Sequence, residues 1–298
     1  MIIKDTHLVP ENIKAVRLSD YVRIAFPAIP SRKGASKAIK RGELWVNGTP
    51  AESGTWIEVG QKLDWMDLQQ RAPKKYHLKL DVVFEDDYLA VINKPPGIEV
   101  SGNKFKTVEN ALSGSLSPSK QPDALPWPRP VHRLDYSTSG LLLVAKTSRA
   151  LIDLGRAFED RKIHKQYRTV VSGKLLSSGT ITDPINGLPA QSEYEAVETV
   201  PSLRSGFLTE LRLSPITGRT HQLRIHMASI GHPIVGDQKY GKEGNVLKGK
   251  GLFLAAVELS FPHPVILEKI TVAIDTPAKF KSLLQREQAR SEKFNATP

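Results

Sequence analysis

At its middle the chain carries an unbroken apolar run, Leu141-Leu142-Leu143-Val144-Ala145. A run of that length reads as a strand buried in a core. Immediately before it stand His132, Arg133, Asp135, Thr138, Ser139 and Gly140. A carboxylate flanked by an arginine and small hydroxyl residues, in a loop feeding a core strand, is placed to be held rigidly and shown to a ligand. The same residues also read as turn chemistry, because Asp followed by Ser-Thr-Ser-Gly is a common turn composition. Any fold for this chain must bury the run and present the loop.

The 298 residues carry a formal net charge of +11 and no cysteine. The length suffices for one large domain or two unequal ones. Without cysteine there are no disulfides, no thiolate catalysis and no cysteine-based zinc site. The positive balance favours a polyanionic partner, of which nucleic acid is the commonest. Residues 1–80 hold 14 Lys and Arg against 8 Asp and Glu, so more than half the excess lies in about a quarter of the chain. No apolar run approaches a membrane span, and no amphipathic helix mixes aromatic and basic residues. The N-terminus lacks the apolar stretch of a secretory signal, so a cytoplasmic location is the expectation, with no membrane partner.

From the N-terminus, residues 13–66 read as a small α/β module. Leu18, Val22 and Phe26 recur at helical spacing until Pro27 and Pro30. A basic helix follows over 31–41, with Gly42 as its expected C-cap. Leu44-Trp45-Val46-Asn47-Gly48-Thr49-Pro50 is a strand entering an Asn-Gly turn, a strong hairpin signal. Residues 67–77 have no apolar period and read as a linker. A larger domain then spans 78–288. It opens with two apolar strands around Asp86-Asp87, stopped by Lys94-Pro95-Pro96-Gly97. Residues 113–130, rich in Ser and Pro, read as an exposed loop. Ser148 can cap a helix carrying Leu151, Leu154 and Phe158. Strands are expected at 167–171, 190–197 and around Thr209, Leu211 and Leu213. Leu223, Met227 and Ile230 form a helical stripe ended by Gly231. Two further strands, 253–259 and 266–270, precede a last helix through Leu284 and a polar, frayed end.

Four stretches together resemble one family. Lys94-Pro95-Pro96-Gly97, the His132-Arg133-Leu134-Asp135 and Thr138-Ser139-Gly140 pair, Lys165-Gln166-Tyr167, and the run Thr217-Gly218-Arg219-Thr220-His221-Gln222-Leu223-Arg224 through Gly236-Asp237 to Tyr240-Gly241 are similar, in order and spacing, to the RluA family of RNA pseudouridine synthases. The N-terminal module resembles the αL RNA-binding module first described in a small-subunit ribosomal protein. The resemblance implies an α+β fold, with a mixed, largely antiparallel sheet, flanking helices and the small α/β module. It implies Asp135 as nucleophile, Arg224 as its guanidinium partner and Tyr167 stacked on an extruded base. Arg133 and His132 would then contact RNA, with Arg133 filling the space the base leaves. Arg32, Lys33, Lys37, Lys40 and Arg41 of the module would contact phosphates. The partner implied is RNA, ribosomal favoured and transfer RNA possible, with no obligate protein partner evident.

Isomerising uridine to pseudouridine needs no redox step and no external group, so no cofactor or metal is expected. His221 and His226, five apart, spread around a helix and make a poor shared metal site. Unaided, Tyr167 also reads as a core aromatic with its hydroxyl paired. Two other functions stay open at this point. One is a catalytically silent RNA-binding factor, which has no chemical reason to keep Asp135, Tyr167 and Arg224 together. The other is a nucleoside hydrolase, which usually wants a second carboxylate or a metal.

Overall fold

Local chemistry shapes the N-terminal unit, Met1–Pro73, one of the two units into which the chain divides. The computed structural model describes residues 2–67, 73–241 and 249–296. The unit's elements are β1 (Ile2–Leu8), β2 (Val16–Arg17), α1 (Leu18–Ala25), α2 (Arg32–Lys40), β3 (Leu44–Val46), β4 (Thr49–Pro50), β5 (Trp56–Ile57) and β6 (Lys62–Asp67). The Ser31 hydroxyl caps α2 by accepting from the Gly34 N–H at 3.0 Å. Gly42, at φ 71°, follows the C-cap Arg41 in the left-handed conformation. Asn47 and Gly48 both take positive φ, 48° and 82°, as a two-residue type I′ hairpin requires. Strand β1 pairs with β6, and β6 with β3, so residues before 13 also belong to this sheet. Leu18, Val22, Phe26, Ala35, Ile39 and Leu63 form its core.

The second unit, Lys74–Pro298, contains β7 (Asp81–Glu85), β8 (Leu89–Lys94), α3 (Val108–Leu112), β9 (Ala124–Pro130), β10 (Ser139–Thr147), α4 (Ser148–Glu159), β11 (His164–Ser172), β12 (Ser178–Ile181), β13 (Ser192–Ser202), β14 (Gly206–Pro215), α5 (Gln222–Ser229), β15 (Leu254–Pro262), β16 (Lys269–Ala273) and α6 (Ala278–Asn295). Among the described residues the strands form one ten-stranded sheet. Its main path runs β12-β13-β14-β11-β15-β10-β8-β7, with β16 on β15 and β9 on β10. Strand β10 is the apolar run. Leu142, Leu143 and Val144 are fully buried, and burying each such side chain is worth about 1.5–3 kcal/mol. It pairs antiparallel with β8 but parallel with β15 at Ser139 and Gly140. The other pairings described are antiparallel, so the sheet is mixed and largely antiparallel with helices around it, the α+β class expected. No described helix is long and apolar enough to cross a membrane.

Three local expectations are corrected. The stretch 113–130 is not all loop, because β9 pairs with the end of β10, Pro130 opposite Val144 and Arg129 opposite Ala145. Its prolines are tolerated at an irregular edge pairing. The cap of α4 is Thr147, whose hydroxyl accepts from the Ala150 N–H, rather than Ser148. Helix α6 does not fray after Leu284 but continues to Asn295, with Glu287 and Ser291 buried on one face.

Candidate active site

Gly140 sets the site at the start of β10. Its φ is 110°, and a Cβ there would collide with the backbone carbonyl of Ala256 on the parallel neighbour. Only glycine allows the strands to meet so closely. The preceding turn is closed by the Thr138 N–H donating to the Asp135 carbonyl at 3.1 Å, and Leu134 anchors it in the core. A second clamp is Lys94, fully buried at the end of β8. Its ammonium donates to the carbonyls of Pro95 (3.0 Å), Ile98 (2.9 Å) and Tyr136 (3.4 Å), tying the Pro-Pro-Gly turn to the residue after Asp135. Burial pulls the Lys94 pKa down to about 8, against the opposing attraction of Asp135.

The Asp135 carboxylate, 18% exposed, faces helix α5. Its Oδ2 lies 3.4 Å from Nη1 of Arg224, and its Oδ1 lies 4.0 Å from Nε2 of His221. Arg224 is aimed by a second carboxylate, that of Asp237. Its Nε donates to Oδ2 of Asp237 at 2.7 Å and its Nη2 to Oδ1 at 2.9 Å, a bidentate fork that leaves Nη1 for Asp135. Asp237 also accepts from the N–H groups of Lys239 (2.9 Å) and Tyr240 (3.1 Å). Burial opposes its charge, but the Arg224 and backbone hydrogen bonds outweigh burial and hold its carboxyl below the usual range. The Tyr240 ring lies 5.1 Å from the guanidinium carbon of Arg224, and its hydroxyl is 2.9 Å from Nδ1 of His221.

His221 begins α5 at φ 57°, an uncommon conformation for a residue with a side chain. Burial lowers its pKa despite the nearby Asp135. The start of the helix is fixed by Gln222, which takes hydrogen bonds from the Thr217 hydroxyl and the Arg219 N–H and donates to the Gln191 carbonyl and the Ser192 hydroxyl. His226 is buried between Ser192 and the Asp183 carbonyl, a polar-network role rather than a ligand's. Among the described residues no three His, Asp or Glu side chains cluster as metal donors would.

Arg133, Asp135, Tyr167, Thr217, His221 and Arg224 line a cavity of about 280 Å³. A larger cavity of about 540 Å³ lies between β13, β14 and the end of α6, but Asp135 and its guanidinium partner are not in it. Tyr167, on β11, is 8% exposed. No group among the described residues bonds its hydroxyl, and burial followed by the Asp135 charge pushes its pKa up. Tyr167 belongs to the core cluster, as the core-tyrosine alternative has it, but without the paired hydroxyl that alternative expected. Arg133 is exposed at the cavity mouth. His132 is built into the wall instead. Its Nε2 accepts from the Leu143 N–H at 3.0 Å and its ring lies 4.8 Å from that of Phe158. Burial, aided by the Lys165 charge, pushes its pKa down to about 3, so it stays neutral near pH 7.

The structure thus brings Asp135, Tyr167, Arg224 and Arg133 to one cavity. Asp237, Lys94 and the His221–Tyr240 pair were not singled out as site residues from sequence, although the motif stretches contain all of them. The five basic residues of α2 and its end belong to the other unit. There Arg32 pairs with Asp20 at 2.9 Å and Arg41 with Glu43 at 2.6 Å. Lys33, Lys37 and Lys40 stand exposed, one helical turn apart, without an acidic partner among the described residues.

Comparison with known proteins agrees with this chemistry. A family model described as RNA pseudouridylate synthase matches residues 88–229. The chain is 33% identical over 314 residues to ribosomal large subunit pseudouridine synthase D of Xanthomonas campestris pv. campestris, covering 95% of this chain and 93% of that one. It is 31% identical over 296 residues to an uncharacterized RNA pseudouridine synthase of Aquifex aeolicus, covering 90% and 92%. Among solved structures, human RNA pseudouridylate synthase domain containing 1 superposes with a TM-score of 0.57 at 26% identity, over 67% of this chain and 84% of that one. The chain belongs to the RluA family of RNA pseudouridine synthases and is an isomerase acting on RNA.

Proposed function

We propose that the protein isomerises specific uridines of structured ribosomal RNA, with Asp135 as nucleophile and the target base extruded into the cavity beside Tyr167. The carrying observation is that Asp135 and a pre-aimed Arg224 meet at 3.4 Å on the wall of an open cavity. In this reading the carboxylate engages the ribose, the N1–C1′ bond breaks, and the uracil turns. A C5–C1′ bond then forms as the carboxylate is released from the ribose, while the C5 proton leaves and N1 gains one. Arg224 keeps the carboxylate ionised and oriented. Tyr167 offers a face to the free uracil, and its buried hydroxyl stays protonated. Extruding a base costs about a few kcal/mol, and Arg133 at the mouth is placed to occupy the gap. Asp237, the second carboxylate nearby, is committed to Arg224 and is not free to activate water as a hydrolase would require.

Lys33, Lys37 and Lys40 supply sequence-independent phosphate contacts from the N-terminal unit. Ribosomal RNA is favoured because several relatives of similar length carry large-subunit pseudouridine synthase names. The test is to map pseudouridine in all RNA from cells with and without the gene. Loss of defined large-subunit sites is expected. Loss confined to transfer RNA would overturn the ribosomal assignment, and no loss anywhere would overturn the reading itself.

A further inference from the structure

An RNA strand does not end at the extruded uridine. The nucleotides on either side remain covalently attached, so they must pass over the protein surface at the cavity mouth. Tyr136 does not line the cavity, but it is next in the chain to Asp135, within one nucleotide's reach of it, and 58% of its area is exposed. Single exposed aromatics are ordinary, but this one is unusually well braced. Its carbonyl accepts from the Gly97 N–H at 2.7 Å and from the Lys94 ammonium at 3.4 Å. Its hydroxyl reaches to 4.0 Å from where a Cβ on Gly97 would sit, so the ring leans toward the Pro-Pro-Gly turn. Among the described residues no other ring packs on it and nothing bonds its hydroxyl. Lys104, 69% exposed and paired with Glu99 at 2.6 Å, is close enough to be coupled to it electrostatically.

A fixed backbone, a free aromatic face and a neighbouring cation are the parts of a single-strand stacking site. We infer that Tyr136 is a platform for the nucleobase adjoining the extruded uridine, with Lys104 beside that nucleotide's phosphate. This rests on the Asp135 cavity being where the uridine enters. The platform holds a base by its π-face, so it adds affinity and register without reading sequence edge by edge. Tyr136 touches no reacting atom, and its backbone clamps survive a side-chain change.

The experiment uses the full-length protein and an RNA hairpin built around a uridine located by the mapping above, with 2-aminopurine placed 5′ or 3′ of it. In the wild type, one of the two placements is expected to show quenching on binding. Tyr136→Phe should retain that signal. Tyr136→Ala should lose it and raise KM by roughly 10- to 100-fold with kcat unchanged, as stacking on one aromatic predicts. An abasic nucleotide at the quenched position should cost the wild type a similar factor and cost Tyr136→Ala little more. Unchanged KM and persistent quenching in Tyr136→Ala, with turnover intact, would overturn the platform alone. Absence of turnover by the wild type on the hairpin would strike the cavity reading and the platform with it.

Discussion

Replacing Asp237 by Asn keeps the side chain's size and removes its charge. Asp237 is fully buried, and its two oxygens take Nε and Nη2 of Arg224 at 2.7 and 2.9 Å. An amide in the same place offers one oxygen and turns an NH₂ group toward a guanidinium N–H, donor against donor. The guanidinium, itself 9% exposed, is left with Asp135 at 3.4 Å as its remaining carboxylate. Removing one partner of a buried pair costs about 3–5 kcal/mol. For domains of 150–250 residues each kcal/mol moves the melting midpoint by about 2–4 °C, so a fall of about 6–20 °C is expected by calorimetry. The wild-type contribution has a definite pH window. The folded carboxyl titrates below its unfolded value, so the stabilisation is complete above the ordinary carboxylate range and is lost as pH falls through the lowered folded pKa. The Asn variant should lack that acid limb. Catalysis should suffer separately: a lost hydrogen bond to a charged group is worth about 1.5–3 kcal/mol, or roughly 10- to 150-fold in kcat. A midpoint within 2 °C of wild type, by the scale just cited, together with unchanged kcat, would show that Arg224 does not depend on Asp237.

Two further outcomes follow from other parts of the molecule. His132 titrates near its ordinary 6.5 when unfolded but at about 3 when folded, so the unfolded chain takes the proton first and stability falls as pH drops from 6.5 toward 3. The full shift corresponds to roughly 5 kcal/mol. His132→Asn should flatten that window in denaturant titrations at stepped pH, and an unaltered slope would show that His132 is not the group responsible. Changing Lys33, Lys37 and Lys40 together to Gln should reduce the magnitude of the log K against log salt slope for RNA by about 2–3, with kcat at saturating RNA retained; an unchanged slope would remove the stripe from the RNA interface.

What could be read in the sequence was mostly what is decided locally. The Leu141–Ala145 strand, the basic helix ended by Gly42 and the Asn47-Gly48 hairpin each follow from a short pattern with a direct physical cause. Strand β9 escaped because Pro126, Pro128 and Pro130 argue against a strand, and only an irregular pairing along β10 makes room for them. The tail of α6 escaped because its sequence is polar. What holds it is tertiary, with the buried Glu287 bonded to the Ser202 hydroxyl of β13. In the site, Asp135, Arg224 and Tyr167 were named through the family motifs. The Asp237 fork was not, because an aspartate after Gly236 reads as a turn residue until the fold sets it against α5. Likewise nothing local in Lys94-Pro95-Pro96-Gly97 shows that the lysine turns inward to bind three carbonyls.

Everything in the catalytic reading turns on one carboxylate. The measurement that bears on it is tritium release from RNA labelled at uridine C5, comparing wild type with Asp135→Asn, alongside circular dichroism and RNA affinity for both. The expected result is no release by the variant with its spectrum and affinity retained. Full release by a correctly folded Asp135→Asn protein would contradict the mechanism and send the search for the nucleophile elsewhere in the cavity.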